Sequence, residues 1–242
     1  MSTLAKVIVT AIMGILLTSC QFDINWGEGK RGSGNVVSET REITEDFTGI
    51  KATEGIDVYV TQAEKFSIEV EADDNIIELI STDIKDGMLK VHTEERIGRA
   101  KSKKVYVSLP TIDRLYSNSG ADLYAQETIK ADKLELDASS GADLKVIIEA
   151  NEVTCDASSG ADIKVAGTAN VLIADASSGA DIKAEDLIVK TCMADASSGA
   201  DIALHVTESL KADASSGADI RYRGNPENVT KNKSASGSVH KY

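Results

Sequence analysis

Apolar and polar residues alternate along most of this chain, and the same short break interrupts the alternation again and again. In Leu134-Glu135-Leu136-Asp137-Ala138, then Ser139-Ser140-Gly141, then Ala142-Asp143-Leu144-Lys145-Val146, the period is two on both sides of the break. Period two is the pattern of a strand with one buried face. The inward set is Leu134, Leu136, Ala138, Ala142, Leu144 and Val146. The outward set is Glu135, Asp137, Asp143 and Lys145. Other copies keep this register, with Val153 and Cys155, Leu172 and Ala174, Cys192 and Ala194, and Leu210 and Ala212 in the inward places before each break.

The break belongs to an octapeptide, Asp-Ala-Ser-Ser-Gly-Ala-Asp-Ile/Leu, written five times, at 137–144, 156–163, 175–182, 195–202 and 213–220. Looser copies stand at 117–123 and 234–239. The glycines at 120, 141, 160, 179, 199, 217 and 237 are spaced by 21, 19, 19, 20, 18 and 20 residues. A period in this range is the mark of a solenoid. Strands of this kind cannot bury an inner face alone, but stacking coils about 4.8 Å apart builds one continuous core. The expected fold is all-β: a single-stranded parallel β-solenoid with about 19–20 residues per coil. A right-handed β-helix is the default hand, because parallel crossovers prefer it.

Residues 35–116 also read as strands, at 56–60, 66–70, 89–91 and 105–109, without the strict repeat. Asp86-Gly87 marks a hairpin turn, and Asp74 to Ile80 has the makings of one helical turn. This half forms either irregular first coils or an antiparallel cap. Some cap is needed, since an open solenoid end is a strand edge that invites aggregation. At the other end, Gly224-Asn225-Pro226 and the basic residues Lys231, Lys233, His240 and Lys241 discourage further stacking.

The first residues read as a targeting signal. Lys6 is the only charge before the apolar run Val7 to Leu17, which is too short to span a bilayer. Leu17-Thr18-Ser19-Cys20 resembles the bacterial lipobox, which implies lipid attachment at Cys20 and membrane affinity through buried methylenes. The expected organisation is a signal peptide over 1–19, then the lipidated Cys and a glycine-rich tether over 20–34. A head domain follows over 35–242, irregular to 116 and regular from 117. The expected location is the cell envelope, lipid-anchored at the outer membrane, on its periplasmic side or at the cell surface.

The formal net charge is −13, and loss of Lys6 with the signal makes it −14. Such a surface argues against nucleic acid and against direct adsorption to anionic lipid. Cys155 and Cys192 show no metal-ligand spacing and fall at inward places, so they are expected as core residues rather than a disulfide.

Two outward rows of acids carry the candidate chemistry. One is Asp137, Asp156, Asp175, Asp195 and Asp213. The other is Asp143, Asp162, Asp181, Asp201 and Asp219, with Asp122 before it. Stacked one strand apart, like charges repel by about 1 kcal/mol or less in water. The second row has a remedy in Lys145, Lys164, Lys183 and Arg221 two residues on, with Tyr124 and Ala203 as exceptions. The first row has less help, and bonds from Asp to corner amides are the expected compensation. No metal site or cofactor is assigned. Calcium between coils is the sharper alternative, since hard cations want carboxylate oxygen. The serine pairs are expected to bond within the corners, because no histidine (His92, His205, His240) recurs beside them as a base. The coils are nearly uniform, with no long loop to wall a cleft, so an enzyme is not expected.

Phe47-Thr48-Gly49-Ile50, Gly55-Ile56-Asp57-Val58-Tyr59-Val60-Thr61-Gln62 and Val107-Ser108-Leu109-Pro110, leading into Ser119-Gly120-Ala121-Asp122, resemble the bacterial lipoprotein family called the putative auto-transporter adhesin, head GIN domain. The name-giving Gly-Ile-Asn reads Gly55-Ile56-Asp57 here. The resemblance implies an anchored or secreted β-helix. The leading expectation is a non-enzymatic adhesion or binding module that shows stacked Asp and Ser faces. Its partners are the membrane through the lipid anchor, and a glycan or an envelope or extracellular protein, with no nucleic acid. A passive envelope spacer is the second reading, and a polysaccharide-acting enzyme the third.

Overall fold

The computed structural model describes residues 29–233 and 236–242, so the signal, Cys20 and most of the tether lie outside the described residues. Strands dominate, and the one helical element among the described residues is a single 3-10 turn, Ile77–Leu79, where the helical turn was expected.

Each exact octapeptide makes the same turn. In each of them the second serine and the following glycine both have positive φ, for example Ser159 at 54° and Gly160 at 69°. The amide of Ala161 bonds the carbonyl of Ser158 at 3.2 Å and closes the turn. Two left-handed residues in succession are the pattern of a type I′ turn, which reverses the chain in the fewest residues. Glycine takes such angles freely, whereas serine does so at a cost of about 1 kcal/mol or more. The cost is borne because the coil-to-coil ladder runs unbroken through the turn. The Gly160 amide bonds the Ser178 carbonyl at 3.2 Å, and the Asp162 amide bonds the Ala142 carbonyl at 3.0 Å. A closed turn also brings its flanks within about 7 Å, closer than facing sheets stand. Hence alanine lines the apex (Ala138, Ala142, Ala157, Ala161), and Leu, Ile and Val follow as the walls diverge.

The regular coils run from β9 (Asp122–Ser139) through β10 (Asp143–Ser158), β11 (Asp162–Ala176), β12 (Asp181–Ala196) and β13 (Asp201–Ala214) to β14 (Asp219–Arg223). Adjacent coils pair parallel and in register, with Asp143 opposite Asp162 and Ala157 opposite Ala176. The unequal repeat lengths are absorbed away from the corners. The register shifts between Lys145 and Ile147 and between Ala184 and Ile188, on the far bend. Gly167 sits at that bend with φ +111°, and a Cβ there would lie 2.0 Å from the Ile148 carbonyl oxygen. The last coil ends in β15 (Asn228–Lys233) and β16 (Ser238–Lys241), which pair with β13 and β14.

The N-terminal half is both irregular coil and cap. β2 (Gly49–Ala52) and β3 (Asp57–Gln62) flank Glu54 and Gly55, whose φ values of 62° and 69° repeat the corner geometry. This coil lies between two others. On its inner side β2 pairs β8 (Arg114–Asn118), and β3 pairs β9. On its outer side it meets β6 (Met88–Thr93) and β7 (Lys103–Leu109). The outer coil is then closed by antiparallel strands. β4 (Ser67–Asp73) runs along β7, β1 (Val36–Thr40) along β4, and β5 (Ile80–Lys85) along β6. The β5–β6 hairpin turns at Asp86-Gly87 as its sequence suggests, with both residues at positive φ.

Buried Asp73 pins the cap. Its carboxylate accepts from the amides of Gly34 at 2.7 Å, Ser102 at 3.0 Å and Lys101 at 3.1 Å. Burial pushes its carboxyl up, but these amides outweigh that and hold it below the ordinary 3.8. The core runs unbroken from the cap to Tyr222. Cys155 and Cys192 lie in it as free thiols, and burial pushes Cys192 up to about 12.

The two kinds of glycine predict different costs. Gly167→Ala meets backbone, so it should destabilise by about 3 kcal/mol or more. Gly160→Ala keeps only the left-handed penalty, about 1 kcal/mol, because a Cβ there has nothing within 4 Å. Urea denaturation of both variants measures the difference, and equal midpoints would contradict this geometry.

Candidate ligand face

The corners stand one above another, and the acids flanking them form two continuous files. The first file runs Asp137, Asp156, Asp175, Asp195 and Asp213 in direct register. Asn232 follows it at one end, and Tyr116, Lys51 and Lys90 continue it into the cap. The second file runs Asp122, Asp143, Asp162, Asp181, Asp201 and Asp219. It extends one coil further than the octapeptide suggests, to Asp57, which pairs with Asp122 on one side and Lys104 on the other. Asp57 belongs because Gly55-Ile56-Asp57-Val58 occupies a corner as Gly141-Ala142-Asp143-Leu144 does.

The two files differ in their partners. In the second, Lys183 reaches Asp162 at 3.1 Å and Asp181 at 3.3 Å, and Arg221 and His240 reach Asp219 at 3.8 and 3.2 Å. Balancing therefore holds at some rungs, while Lys145 and Lys164 form no such pair. At the Tyr124 exception the cations give way to aromatic rings: Tyr106, Tyr59 and Tyr124 stack with centroids 5.2 and 5.5 Å apart. Tyr124 donates to Asp122 at 3.1 Å.

The first file is without ion pairs. Among the described residues its five carboxylates make no ion pair and no hydrogen bond, so the expected bonds to corner amides are absent. The type I′ geometry accounts for part of this: the Gly160, Ala161 and Asp162 amides, for example, are spent on carbonyls of the same or the neighbouring coil. The paired serines from Ser139 to Ser216 also leave their hydroxyls without a protein partner, where corner bonding was expected. Ser117, the buried counterpart of Ala138, does bond within its corner, to the Ala121 carbonyl at 2.8 Å. Partial burial pushes the Asp156 carboxyl above its ordinary 3.8, and Asp175, Asp137 and Glu135 add to this. Asp195 is raised by burial and then by Asp175 and Asp213. Asp137 is raised by burial and Glu135, against Lys51.

Among the described residues, one group of three metal-capable side chains has its ligand atoms within 4.8 Å of one another, Asp83, His92 and Glu94, and it lies in the cap. On the far side of the coils, a groove of 810 Å³ is bordered by Lys130, Glu149, Thr168, Ile188, Lys190 and Glu208, a mixed lining without convergent acids or bases.

The model of the putative auto-transporter adhesin, head GIN domain family matches residues 46–226, which takes in the inserted coil, the cap hairpin and every exact octapeptide. The chain belongs to this family. Solved structures agree on the fold. A crystal structure described as a putative adhesin from Bacteroides fragilis has a TM-score of 0.82 at 20% identity and covers 88% of this chain and 100% of its own. One described as a putative lipid binding protein from Parabacteroides distasonis has a TM-score of 0.74 at 20% identity, covering 88% and 98%. A putative adhesin from Parabacteroides merdae gives 0.69 at 21% identity, again covering 88% and 98%. No curated protein matches, and no helix among the described residues is long and apolar enough to cross a membrane.

The raised carboxyls set the sign of a pH effect. A folded-state pKa above the unfolded value means the folded form binds protons more readily, so stability rises as pH falls through the raised range and levels off below about 3.8. The contribution of these carboxyls to stability should therefore be larger at mildly acidic pH than at pH 7, while His205, held below 6.5 by burial and then by Arg223, works against it over the same range. The gain should shrink in Asp156→Asn/Asp195→Asn, which at pH 7 should itself be stabler by up to about 1 kcal/mol. Calorimetry across pH 4.5–7.5 checks this, and a variant that melts lower at pH 7 would contradict it.

Proposed function

We propose that this member of the head GIN family is a non-enzymatic adhesion or binding module of the cell envelope, tethered by a lipid on Cys20, whose working surface is the corner face. The observation that carries the reading is the first Asp file with its serines. Five carboxylates and the adjoining hydroxyls repeat at one strand spacing, and none is engaged by the protein. A structural role would use those groups internally, as Asp73 is used. Left unengaged on a rigid lattice, they suit an extended ligand with cationic or hydroxyl groups at a matching repeat. A glycan or a basic stretch of an envelope or extracellular protein has that chemistry. Preorganisation by the stack lowers the ordering cost on the protein's side.

A rigid envelope spacer is the second reading, favoured by the unbroken core and near-identical coils. The two separate cleanly. For the binding module, Asp156→Asn/Asp175→Asn/Asp195→Asn should lower affinity for a glycan or matrix-protein ligand found by array screening at least tenfold, without loss of fold. A triple variant that binds such a ligand unchanged would remove the acidic face from the reading. For location, antibody labelling of intact cells should succeed without lysis. Protection until lysis would leave a module acting within the periplasm, and loss of membrane retention in Cys20→Ala would report on the anchor.

A further inference from the structure

The cap holds a cluster that the corner face does not use. Asp83 lies on β5, His92 on β6 and Glu94 just beyond it. The tight turn at Asp86-Gly87 fixes the hairpin register, placing Ser81 opposite His92 and Asp83 opposite Lys90. Residues directly opposite in an antiparallel pair share a face, as do residues two apart on one strand. Ser81, Asp83 and His92 therefore project from one side of a rigid hairpin. His92 Nε2 lies 2.7 Å from Asp83 Oδ2 and 4.0 Å from Glu94 Oε1. Glu94 is held in place by the Ser81 hydroxyl, which donates to the same Oε1 at 2.8 Å. A cleft of 700 Å³, bordered by Glu54, Thr93, Glu94, Lys103 and Gly120, opens beside Glu94, and the exposed Asp83 and Glu94 carboxylates leave the cluster open to solvent.

We propose that Asp83, His92 and Glu94 form a three-ligand site for a late first-row divalent cation, with Zn2+ the best fit. One imidazole with two carboxylates suits zinc and its neighbours rather than calcium or magnesium, which prefer oxygen alone. Bonds of about 2.0–2.2 Å at tetrahedral angles place ligand atoms about 3.4 Å apart. The two distances from His92 Nε2 straddle that value and all three ligand atoms lie within 4.8 Å of one another, so side-chain shifts of about 1–1.5 Å bring them to that spacing. The cation binds Nε2 in place of any proton there, which passes to Nδ1 or to solvent, and water or a ligand group fills the remaining position. Glu54 adds a further negative charge nearby. Its carboxylate is tied to Thr93 at 2.7 Å and steadies the strand that carries both His92 and Glu94. Lys90 is the opposing cation on this face, so affinity should be moderate. The site lies at the end of β6 in the outermost coil, and a bound ion would clamp the hairpin that closes the stack.

The test is titration of the full chain with Zn2+ by calorimetry, beside His92→Ala and Glu94→Gln. The expected result is one equivalent bound, at least tenfold weaker in both variants. Zinc should also raise the melting temperature of the wild-type protein alone, and Co2+ should give visible absorption bands that His92→Ala loses. Circular dichroism establishes that the variants are folded, and Glu94→Gln, an exposed change, keeps the test valid if His92→Ala unfolds. Zinc binding that is absent, or equal in wild type and both variants, would overturn the proposal and leave His92 and Asp83 as a plain hydrogen-bonded pair.

Discussion

Residue-for-residue register between coils is the constraint on which everything else here depends. Each parallel ladder fixes what lies above each side chain, and the type I′ corner carries the ladder around the bend without a gap. Once that register is set, any residue placed at a corner is multiplied along the stack. Alanines at the apex become a narrow close-packed seam, and isoleucines and leucines beyond it become the core. Aspartates outside become files of like charge. The packing gain and the electrostatic cost come from one cause, and the core is large enough to outweigh a repulsion that water and salt weaken.

The solenoid, its period, the inward and outward sets, the buried cysteines and the Asp86-Gly87 hairpin were all legible in the chain, because each rests on local chemistry repeated or on one turn signal. The corner at Glu54-Gly55 was legible only in part. Gly55-Ile56-Asp57-Val58 keeps the spacing of Gly-Ala-Asp-Ile, but Thr53 and Glu54 replace the serines, and a turn defined by backbone angles tolerates that replacement. Asp57 went unread as a member of the second file for the same reason. The proximity of Asp83, His92 and Glu94 follows from counting outward from a two-residue turn, so the signal was present. His92 looked isolated because it does not recur with the octapeptide. The placement of the outer coil was not legible, since nothing local tells β7 to lie on the far side of β3.

The expectation that Asp and Ser would satisfy the corners failed instructively. It assumed that backbone groups at a turn need side-chain partners. In a stack the neighbouring coil supplies them, and the side chains are released. The Asp73 carboxylate marks the contrast: where the chain leaves the stack at the cap, no neighbouring coil exists, and one buried acid must bind three amides by itself.

The position of the β2–β3 coil has a consequence for how the molecule is made. This coil emerges from the ribosome before the strands on either side of it, yet it is flanked outward by β6 and β7 and inward by β8 and β9. It cannot serve as a finished template on which later coils are laid in order. The chain must first pass outward, turn through the hairpin, and double back across its own first coil before the regular array begins. Assembly from one end to the other, the simplest route for a repeat protein, is open to the octapeptide coils and closed to the cap. The cap should be the slow step of folding, and the segment most dependent on being synthesised whole.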